Sequence, residues 1–227
     1  MDTKDLTPRQ ILLQKDEVTL VDEDGKLLGR EDKFLAHQHP AKLHLASSVW
    51  LLNSKKQVLL QKRSNSKIVG AGWWANTVCG NVLPVETYFD CARRRLQQEL
   101  AITNAQITPV YKFTYRAYCN EKYGENEIDQ VYVGKFEEKV IPNSKEVSDI
   151  EWVDFKSLVE QVTLQNYVNP EQTILQDSNL LQELTQPLKV AVKTLSGSKN
   201  ILLAPWSVLM LKDPHLELAV TELFSKS

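Results

Sequence analysis

Polybasic segments and a strong excess of either charge are missing from this sequence. Its 227 residues carry 27 Lys and Arg against 29 Asp and Glu, which gives a formal net charge of −2. Proteins that bind nucleic acids usually present a strongly basic patch. The charge balance therefore argues against a nucleic-acid partner and leaves room for a small anionic ligand.

Long apolar runs are also missing. A helix that crosses a bilayer needs about 20 consecutive apolar residues, and no run in this chain approaches that length. The first ten residues, MDTKDLTPRQ, do not show the charged and then apolar layout of a secretory signal. We therefore expect a cytoplasmic protein with no membrane partner.

Cysteine is scarce. The chain has Cys79, Cys91 and Cys119, with no C-x-x-C pair. An odd number argues against the disulfide framework of a secreted protein, so we expect reduced thiols. A free cysteine is usually an inert small hydrophobe, but Cys79 lies in the unusual stretch WWANTVCGN, next to a glycine that lets the backbone approach a ligand. Both interpretations stay open at this point.

The residues that are present indicate a globular α+β protein. With 42% hydrophobic and 25% charged residues, the chain can bury a sizeable core. Alternating apolar runs around an Asp-Gly turn predict a hairpin in EVTLVDEDGKLLGR. Helical spacing of apolar residues predicts a helix over 86–100. Further strands are predicted at 43–52 and 57–63, which should pair, and at 107–118, 127–138 and DIEWVDF.

After residue 155 the pattern changes to helix. FKSLVEQV, PEQTILQDSNLLQELTQPLKVAVKTL and HLELAVTELFSK are interpreted as helices, with a break near Pro187. A polar lead-in at 1–16 fits a short helix. Without repeats or a low-complexity linker, we expect one domain over 1–227. Its mixed-sheet core should span about 17–155 and its helical C-terminal extension about 156–227.

Histidines and carboxylates form the first candidate site. Three of the four histidines, His37, His39 and His44, fall within eight residues of one another. Imidazole is a common metal ligand, and Glu125 and Glu127 could join it because residues two apart on a strand share a face. The alternatives are surface histidines and a charged turn.

Charged residues around the predicted helix form the second candidate. Glu99 falls near its apolar side, where a carboxylate needs a cation or a metal. Arg95 could supply an i,i+4 ion pair instead of a metal. Lys33, Arg63 and Lys67 are ordinary surface charges unless they converge on an anion.

The stretch GNVLPVETYFDCARRRLQQELAI, residues 80–102, resembles the Nudix pattern. In pyrophosphate-hydrolysing Nudix proteins the helix reads R-E-U-x-E-E-x-G-U, where U is a bulky apolar residue. Here Arg95, Gln98 and Ala101 replace the first Glu, the penultimate Glu and the Gly. Of the carboxylates that gather hydrolytic magnesium, only Glu99 is left.

That depletion occurs together with AHQHPAKLHLASSVWLL, QKRSNSK, WWANTVCGN, FTYRA, ENEID and APWSV. In this order the motifs resemble the type I isopentenyl-diphosphate isomerase family, which is built on a Nudix-type mixed sheet flanked by helices. The resemblance covers about residues 17–153 and returns at Pro205 and Trp206. It implies an isomerase that interconverts isopentenyl and dimethylallyl diphosphate through a tertiary carbocation.

The resemblance also implies the catalytic residues. Cys79 and Glu127 match the family's thiol and carboxylate, and Tyr115 matches a tyrosine that helps to deliver the proton. Trp206 matches an aromatic face over the cation, and Trp74 is expected to help close the pocket. Lys33, Arg63, Lys67 and Arg95 match basic residues around the substrate diphosphate.

Two divalent ions follow from the same resemblance. His37, His44, Glu125 and Glu127 match a cage for one ion, Mn²⁺, Zn²⁺ or Mg²⁺, and Glu99 matches the ligand of a Mg²⁺ that bridges to the diphosphate. His39 has no counterpart. The family usually has a third cage histidine two residues after the catalytic cysteine, and here that residue is Asn81, a weaker ligand.

Two other functions compete with the isomerase. A Nudix hydrolase would cleave a diphosphate linkage in a nucleotide or related substrate, using Glu99 but without a carboxylate at Gln98. A noncatalytic diphosphate-binding protein would treat Asn81 as the mark of a decayed metal site. Retention of the thiol and of the cage residues argues against the second alternative.

Overall fold

The computed structural model describes residues 17–167, 182, 185–194 and 197–225. The strands are β1 (Glu17–Val21), β2 (Leu27–Asp32), β3 (His44–Leu52), β4 (Gln57–Arg63), β5 (Trp74–Ala75), β6 (Val78–Asn81), β7 (Gln106–Tyr118), β8 (Gly124–Lys135), β9 (Val147–Asp154), β10 (Leu188–Thr194) and β11 (Gly197–Leu203). The helices are α1 (Lys33–His37), α2 (Tyr88–Leu100), α3 (Phe155–Thr163), α4 (Pro205–Lys212) and α5 (Pro214–Ser225). The helices predicted within 1–16 and 168–181 fall outside the described residues.

The strands form the predicted mixed sheet, in which β3 pairs with β1, β4, β6 and β8. β3 runs parallel to β8, from the pair His44–Glu127 to the pair Leu52–Lys135. It runs antiparallel to β6, while β7 and β8 form an antiparallel pair, and β1 and β2 form the hairpin that was predicted around the Asp-Gly turn. The expected pairing of β3 with β4 is confined to Leu52 and Val58, because β4 takes β9 as its main partner. This register brings the histidine-rich end of β3 beside the glutamates of β8.

Side chains of the central strands alternate between two hydrophobic cores. On β3, Trp50 and Leu52 belong to one core, and Val49 and Leu51 belong to the other. Successive side chains of a strand point to opposite faces, so both faces of the sheet are covered. Helix α2 packs on the second core through residues such as Leu96, while α3, α4 and α5 contribute to the first.

Helix α2 begins at Tyr88, two residues later than predicted. Thr87 caps it, and Thr87 and Asp90 form a reciprocal capping box. The helix ends at Ala101, whose φ of 57° lies in the left-handed region that favours glycine. Ala101 stands where the Nudix pattern has Gly, and alanine in this conformation costs about 1 kcal/mol.

The C-terminal part of the chain is not wholly helical. The helices predicted at 155–162 and 215–226 are confirmed as α3 and α5. The helical interpretation of LKVAVKTL is wrong, because β10 and β11 form an antiparallel hairpin there. Val190 and Val192 are buried while their neighbours are exposed or half-buried, which is a period of two. Pro187 lies directly before this hairpin.

Among the described residues, no helix is both long and apolar enough to cross a membrane.

Candidate active site

Four buried side chains converge where β3 and β8 begin. His37 ends α1, His44 opens β3, and Glu125 and Glu127 alternate along β8. Each offers one ligand atom, and all four atoms lie within 4.8 Å of one another. The convergence arises because His44 and Glu127 are partners in the parallel register. We call this group the cage.

Hydrogen bonds orient both cage histidines. His37 Nδ1 lies 2.7 Å from the Lys33 carbonyl oxygen, and His44 Nδ1 lies 2.8 Å from that of Lys42. A carbonyl can only accept, so each Nδ1 carries the proton and donates it. Each Nε2 therefore turns toward a cage carboxylate, at 3.1 Å from Glu125 Oε2 and 3.3 Å from Glu127 Oε1.

Two buried atoms of the cage face an ion-pair partner but form no hydrogen bond with it. They are His44 Nε2, 3.3 Å from Glu127 Oε1, and Glu125 Oε2, 3.1 Å from His37 Nε2. Two carboxylates and two oriented imidazoles are a donor set that divalent ions accept, and a cation at their centre would satisfy the two orphaned atoms. The residues present therefore fit a divalent metal ion.

Tyr115 and Glu127 face each other across β7 and β8. They are register partners, and the Tyr115 hydroxyl donates to Glu127 Oε2 at 2.5 Å. Burial, reinforced by the nearby carboxylates, raises the pKa of Tyr115 well above its ordinary value. The hydroxyl therefore stays protonated and keeps donating to Glu127.

The Cys79 thiol lies on β6 and is half-buried. Burial raises its pKa to about 12, although the adjacent Arg63 opposes this shift. Arg63 Nη1 donates to Cys79 Sγ at 3.5 Å. Cys79 is therefore a neutral thiol at neutral pH, with a guanidinium in place to stabilise the thiolate when it forms.

Arg63 and Trp206 form the innermost wall beside Cys79. Arg63 is buried, donates twice to the Val69 carbonyl, and places its guanidinium carbon 5.2 Å from the Trp206 ring centre. The Trp206 ring lies 6.4 Å from that of Tyr115. Gly70 permits this packing, because a Cβ there would stand 2.8 Å from the Trp206 ring.

The two adjacent tryptophans of the WWANTVCGN stretch have different environments. Trp73 is half-buried, and its ring centre lies 6.2 Å from that of Trp206. Trp74 belongs to the hydrophobic core, with the Lys199 ammonium 4.3 Å from its ring centre. The neighbour of Trp206 is thus Trp73, in place of the Trp74 expected from the sequence.

These groups surround a cavity of about 200 Å³. Most of the site residues expected from the sequence line it: Lys33, His37, Arg63, Lys67, Cys79, Arg95, Tyr115, Glu125 and Glu127. The remaining three, His44, Glu99 and Trp206, are buried behind the lining residues Glu127, Arg95 and Arg63. The structure therefore brings the whole predicted set to one place.

Glu99 forms the ion pair that the sequence offered as an alternative to metal binding. Its Oε1 contacts Arg95 Nη2 and lies 3.6 Å from Lys67 Nζ, while its Oε2 accepts from Gln61 at 2.7 Å. Burial raises the pKa of Glu99, but Arg95 and Lys67 outweigh it and hold the pKa below its ordinary value. Glu99 is thus an ionised, fully buried carboxylate.

Asn81 lines the cavity on β6, two residues after Cys79 and opposite Ala46 of β3. Its backbone carbonyl accepts from Arg94 at 3.0 Å, and Arg94 also binds both oxygens of Glu86. The Glu86 and Arg94 of the Nudix pattern thus hold the loop after Cys79 against α2.

His39 lies apart from the cage. Its ring stacks on Tyr118 at 4.5 Å, and its Nε2 lies 3.0 Å from the Asn120 carbonyl oxygen. The ring fits there because residue 124 is a glycine, whose added Cβ would stand 2.7 Å from it. The structure thus gives His39 a packing role, consistent with its missing counterpart in the family.

Sequence reasoning missed Glu146 and Asn76. Glu146 Oε2 contacts both Lys67 and Arg95, and this residue lines the cavity. Buried Asn76 donates to the carbonyls of Val78 and Val49 at 2.7 and 3.2 Å and accepts from Ser207 at 3.1 Å. Asn76 thereby ties the Cys79 strand to the helix that carries Trp206. The sequence signal that could have indicated Asn76 is its position three residues before Cys79.

Comparisons with known proteins identify sequence relatives of this chain. The model of the NUDIX domain matches residues 42–176. Isopentenyl-diphosphate Delta-isomerase 1 of Aromatoleum aromaticum is 39% identical over 140 residues, which cover 62% of this chain and 78% of the relative. Isopentenyl-diphosphate Delta-isomerase of Klebsiella pneumoniae is 34% identical over 181 residues, which cover 79% of this chain and 97% of the relative.

A solved structure supports the fold. The protein DR0079 from Deinococcus radiodurans superposes with a TM-score of 0.54 at 20% sequence identity, over 74% of this chain and 98% of the other. At that identity the likeness concerns the fold alone.

Proposed function

The chain belongs to the Nudix superfamily and, within it, to the type I isopentenyl-diphosphate Delta-isomerases, and on that premise we propose that it interconverts isopentenyl and dimethylallyl diphosphate. The observation that carries the proposal is one cavity lined by a neutral thiol, Cys79, and by Glu127 with its donor Tyr115. Proton transfer at carbon requires such a pair of proton-exchanging groups.

Moving the double bond requires one group that gives a proton to the substrate and one that takes a proton from it. A proton from one group adds to the terminal methylene carbon, C4, and leaves a tertiary carbocation at C3. The other group removes a proton from C2, so that the double bond moves from C3–C4 to C2–C3. Cys79 and Glu127 exchange the roles of acid and base when the reaction runs in reverse. Proton exchange with water then restores the resting state.

The groups around the thiol support this chemistry. Arg63, 3.5 Å from Cys79 Sγ, stabilises the thiolate form of Cys79, which forms whenever Cys79 gives up its proton and which it must have when it takes one. Tyr115 keeps its hydroxyl on Glu127 Oε2 and orients that carboxylate. The Tyr115 ring lines the cavity, and the Trp206 ring lies 6.4 Å behind it, so that this wall is apolar and keeps out water, which would trap a carbocation as an alcohol.

The cage is proposed to hold one divalent ion, Mn²⁺, Zn²⁺ or Mg²⁺, through His37, His44, Glu125 and Glu127. When bound, the ion supplies positive charge that tunes the acidity of its carboxylate ligands. A Mg²⁺ that accompanies the diphosphate is proposed to use Glu99, whose Oε1 would have to leave Arg95 and Lys67. The chain's own residues meanwhile bind and orient the substrate.

The basic residues are proposed to bind the diphosphate. Lys33, Lys67 and Arg95 line the same cavity as Cys79, and several cations suit a multiply charged anion. Arg63 also lines it, although its guanidinium is directed at Cys79 and Val69. The proposed partner is thus a small diphosphate, handled in the cytoplasm.

Incubating the protein with isopentenyl diphosphate and following the proton spectrum by NMR tests the proposal. Parallel samples should contain Mg²⁺, Mn²⁺ or Zn²⁺. We expect dimethylallyl diphosphate to appear with no release of phosphate. A hydrolase would instead release phosphate or a monophosphate, which would contradict the proposal; Gln98 and Arg95, in place of hydrolytic carboxylates, argue against that result.

Replacing Asn81 with histidine is expected to strengthen metal binding on the order of tenfold, because imidazole is a better ligand than an amide oxygen for Zn²⁺ or Mn²⁺. Titration of the metal-free protein with Mn²⁺ measures the change. The matched control is Asn53→His, on the loop between β3 and β4, which should leave the affinity unchanged. Equal affinity in the parent and Asn81→His would place Asn81 outside the cage.

A further inference from the structure

Glu146 forms ion pairs with Lys67 and Arg95, two basic residues that line the cavity. Its carboxylate contacts Lys67 Nζ and lies 3.1 Å from Arg95 Nη2, and its side chain is 34% exposed. Burial raises its pKa, but Lys67 and Arg95 outweigh this effect and hold the pKa at about 2, so the carboxylate is ionised at neutral pH. It is therefore a permanent anion on groups that we assign to the substrate diphosphate.

The charge around Glu146 is unbalanced. Lys33, Lys67 and Arg95 converge on the cavity, and the Lys33 ammonium forms no ion pair with any residue that the structure describes. Burial, with repulsion from Lys67, Arg95 and Arg63, lowers the pKa of Lys33. The buried carboxylate of Glu99 neutralises part of this positive charge, and the partly exposed carboxylate of Glu146 neutralises another part.

The backbone that carries Glu146 is fixed on both sides. Asn143, in the same turn, donates its backbone N–H to the Glu99 carbonyl at 2.8 Å and its amide to the Gln98 carbonyl at 3.2 Å. The hydroxyls of Ser64 and Ser66 donate to the Lys145 carbonyl at 2.8 and 2.9 Å. The turn is thus docked on the end of α2 and on the Lys67 loop, so only the Glu146 side chain needs to move for the pair to open.

We propose that Glu146 is a built-in counter-anion that the diphosphate displaces from Lys67 and Arg95. It holds both cations in their binding positions and lowers their net affinity for the ligand, because each diphosphate must first exchange with a carboxylate. Glu146 is thereby a positioning residue that sets the affinity and the release of the diphosphate. That this diphosphate belongs to the substrate rests on the proposed function.

Glu146→Gln tests this inference with inorganic diphosphate as the probe. The amide keeps the shape but removes the competing charge, so we expect the Kd from calorimetric titration to fall about tenfold. Glu146→Asp retains the charge on a shorter side chain and should give a Kd between those of the wild type and Glu146→Gln. Glu151→Gln is the matched control, because Glu151 lies on β9 and pairs at 3.7 Å with Lys199, outside the cavity lining.

The titration is run with and without Mg²⁺. An unchanged or higher Kd in Glu146→Gln would overturn the inference; a loss of affinity only with Mg²⁺ would instead make Glu146 a metal ligand. Because the probe is not isomerised, the outcome is independent of the proposed reaction. Tighter diphosphate binding in a protein that forms no dimethylallyl diphosphate would refute the isomerase and leave the role of Glu146 intact.

Discussion

Replacing Cys79 with alanine is expected to lower kcat for isomerisation about 10³-fold, because one of the two groups proposed to exchange protons with the substrate is removed. The thiol lies beside Arg63 and lines the same cavity as Glu127 and Tyr115. Steady-state formation of dimethylallyl diphosphate measures the loss. The structure shows no second thiol in the cavity lining that could replace it, among the residues described there.

Two comparisons make this result specific. Cys79→Ser should be nearly as inactive, since a hydroxyl in the same buried place is a much weaker acid than a thiol. Both variants should bind inorganic diphosphate with the wild-type Kd, because Lys33, Lys67 and Arg95 are unchanged. Wild-type turnover in Cys79→Ala would remove the thiol from the reaction.

Replacing Glu127 with glutamine is expected to lower kcat by about 10³-fold or more, and excess metal should not restore it. The carboxylate has two functions here: Oε1 faces His44 in the cage, and Oε2 accepts the Tyr115 hydroxyl. The glutamine amide is a weaker metal ligand than the carboxylate, and it cannot exchange a proton with the substrate. Activity across a titration with Mn²⁺ measures both.

Glu125→Gln is the matched comparison for Glu127→Gln. It removes the other cage carboxylate, which faces His37 and has no contact with the Tyr115 hydroxyl among the described interactions. We expect metal affinity to fall by at least about tenfold, with activity largely recovered at saturating metal. Equal recovery of both variants would reduce Glu127 to a metal ligand only.

Much of the cage could be predicted because its geometry is local. Two glutamates separated by one residue on a strand share a face, and the structure confirms that strand as β8. His37 and His44 lie close in sequence, so a short helix and a loop suffice to bring them together. The parallel pairing of His44 with Glu127 completes the group, and sequence spacing alone could not give it.

The errors occurred where long-range contacts decide the outcome. The segment with Val190 and Val192 follows residues whose sequence predicts a helix. Its apolar residues alternate with a period of two, however, and as a strand it buries both valines in the core. Glu146 was not among the residues predicted from the sequence, because its partners Lys67 and Arg95 lie 79 and 51 residues away. Trp73 and Trp74 differ by one position, so the strand register decides which one contacts Trp206.

The departure at Asn81 concerns metal affinity more than the reaction. Asn81 lines the cavity, but the thiol, the Tyr115–Glu127 pair and the oriented histidines are all in place without a third imidazole. The proton-exchanging groups do not include residue 81. We therefore expect a weaker cage, not a different chemistry.

Incubating the metal-loaded protein with isopentenyl diphosphate in D₂O tests the isomerase most directly. We expect dimethylallyl diphosphate that carries deuterium in a methyl group, because the proton added at C4 comes from a group that exchanges with solvent. The same sample of Cys79→Ala should show no label. Unlabelled, unchanged isopentenyl diphosphate in the wild-type sample, or phosphate released from it, would contradict the account.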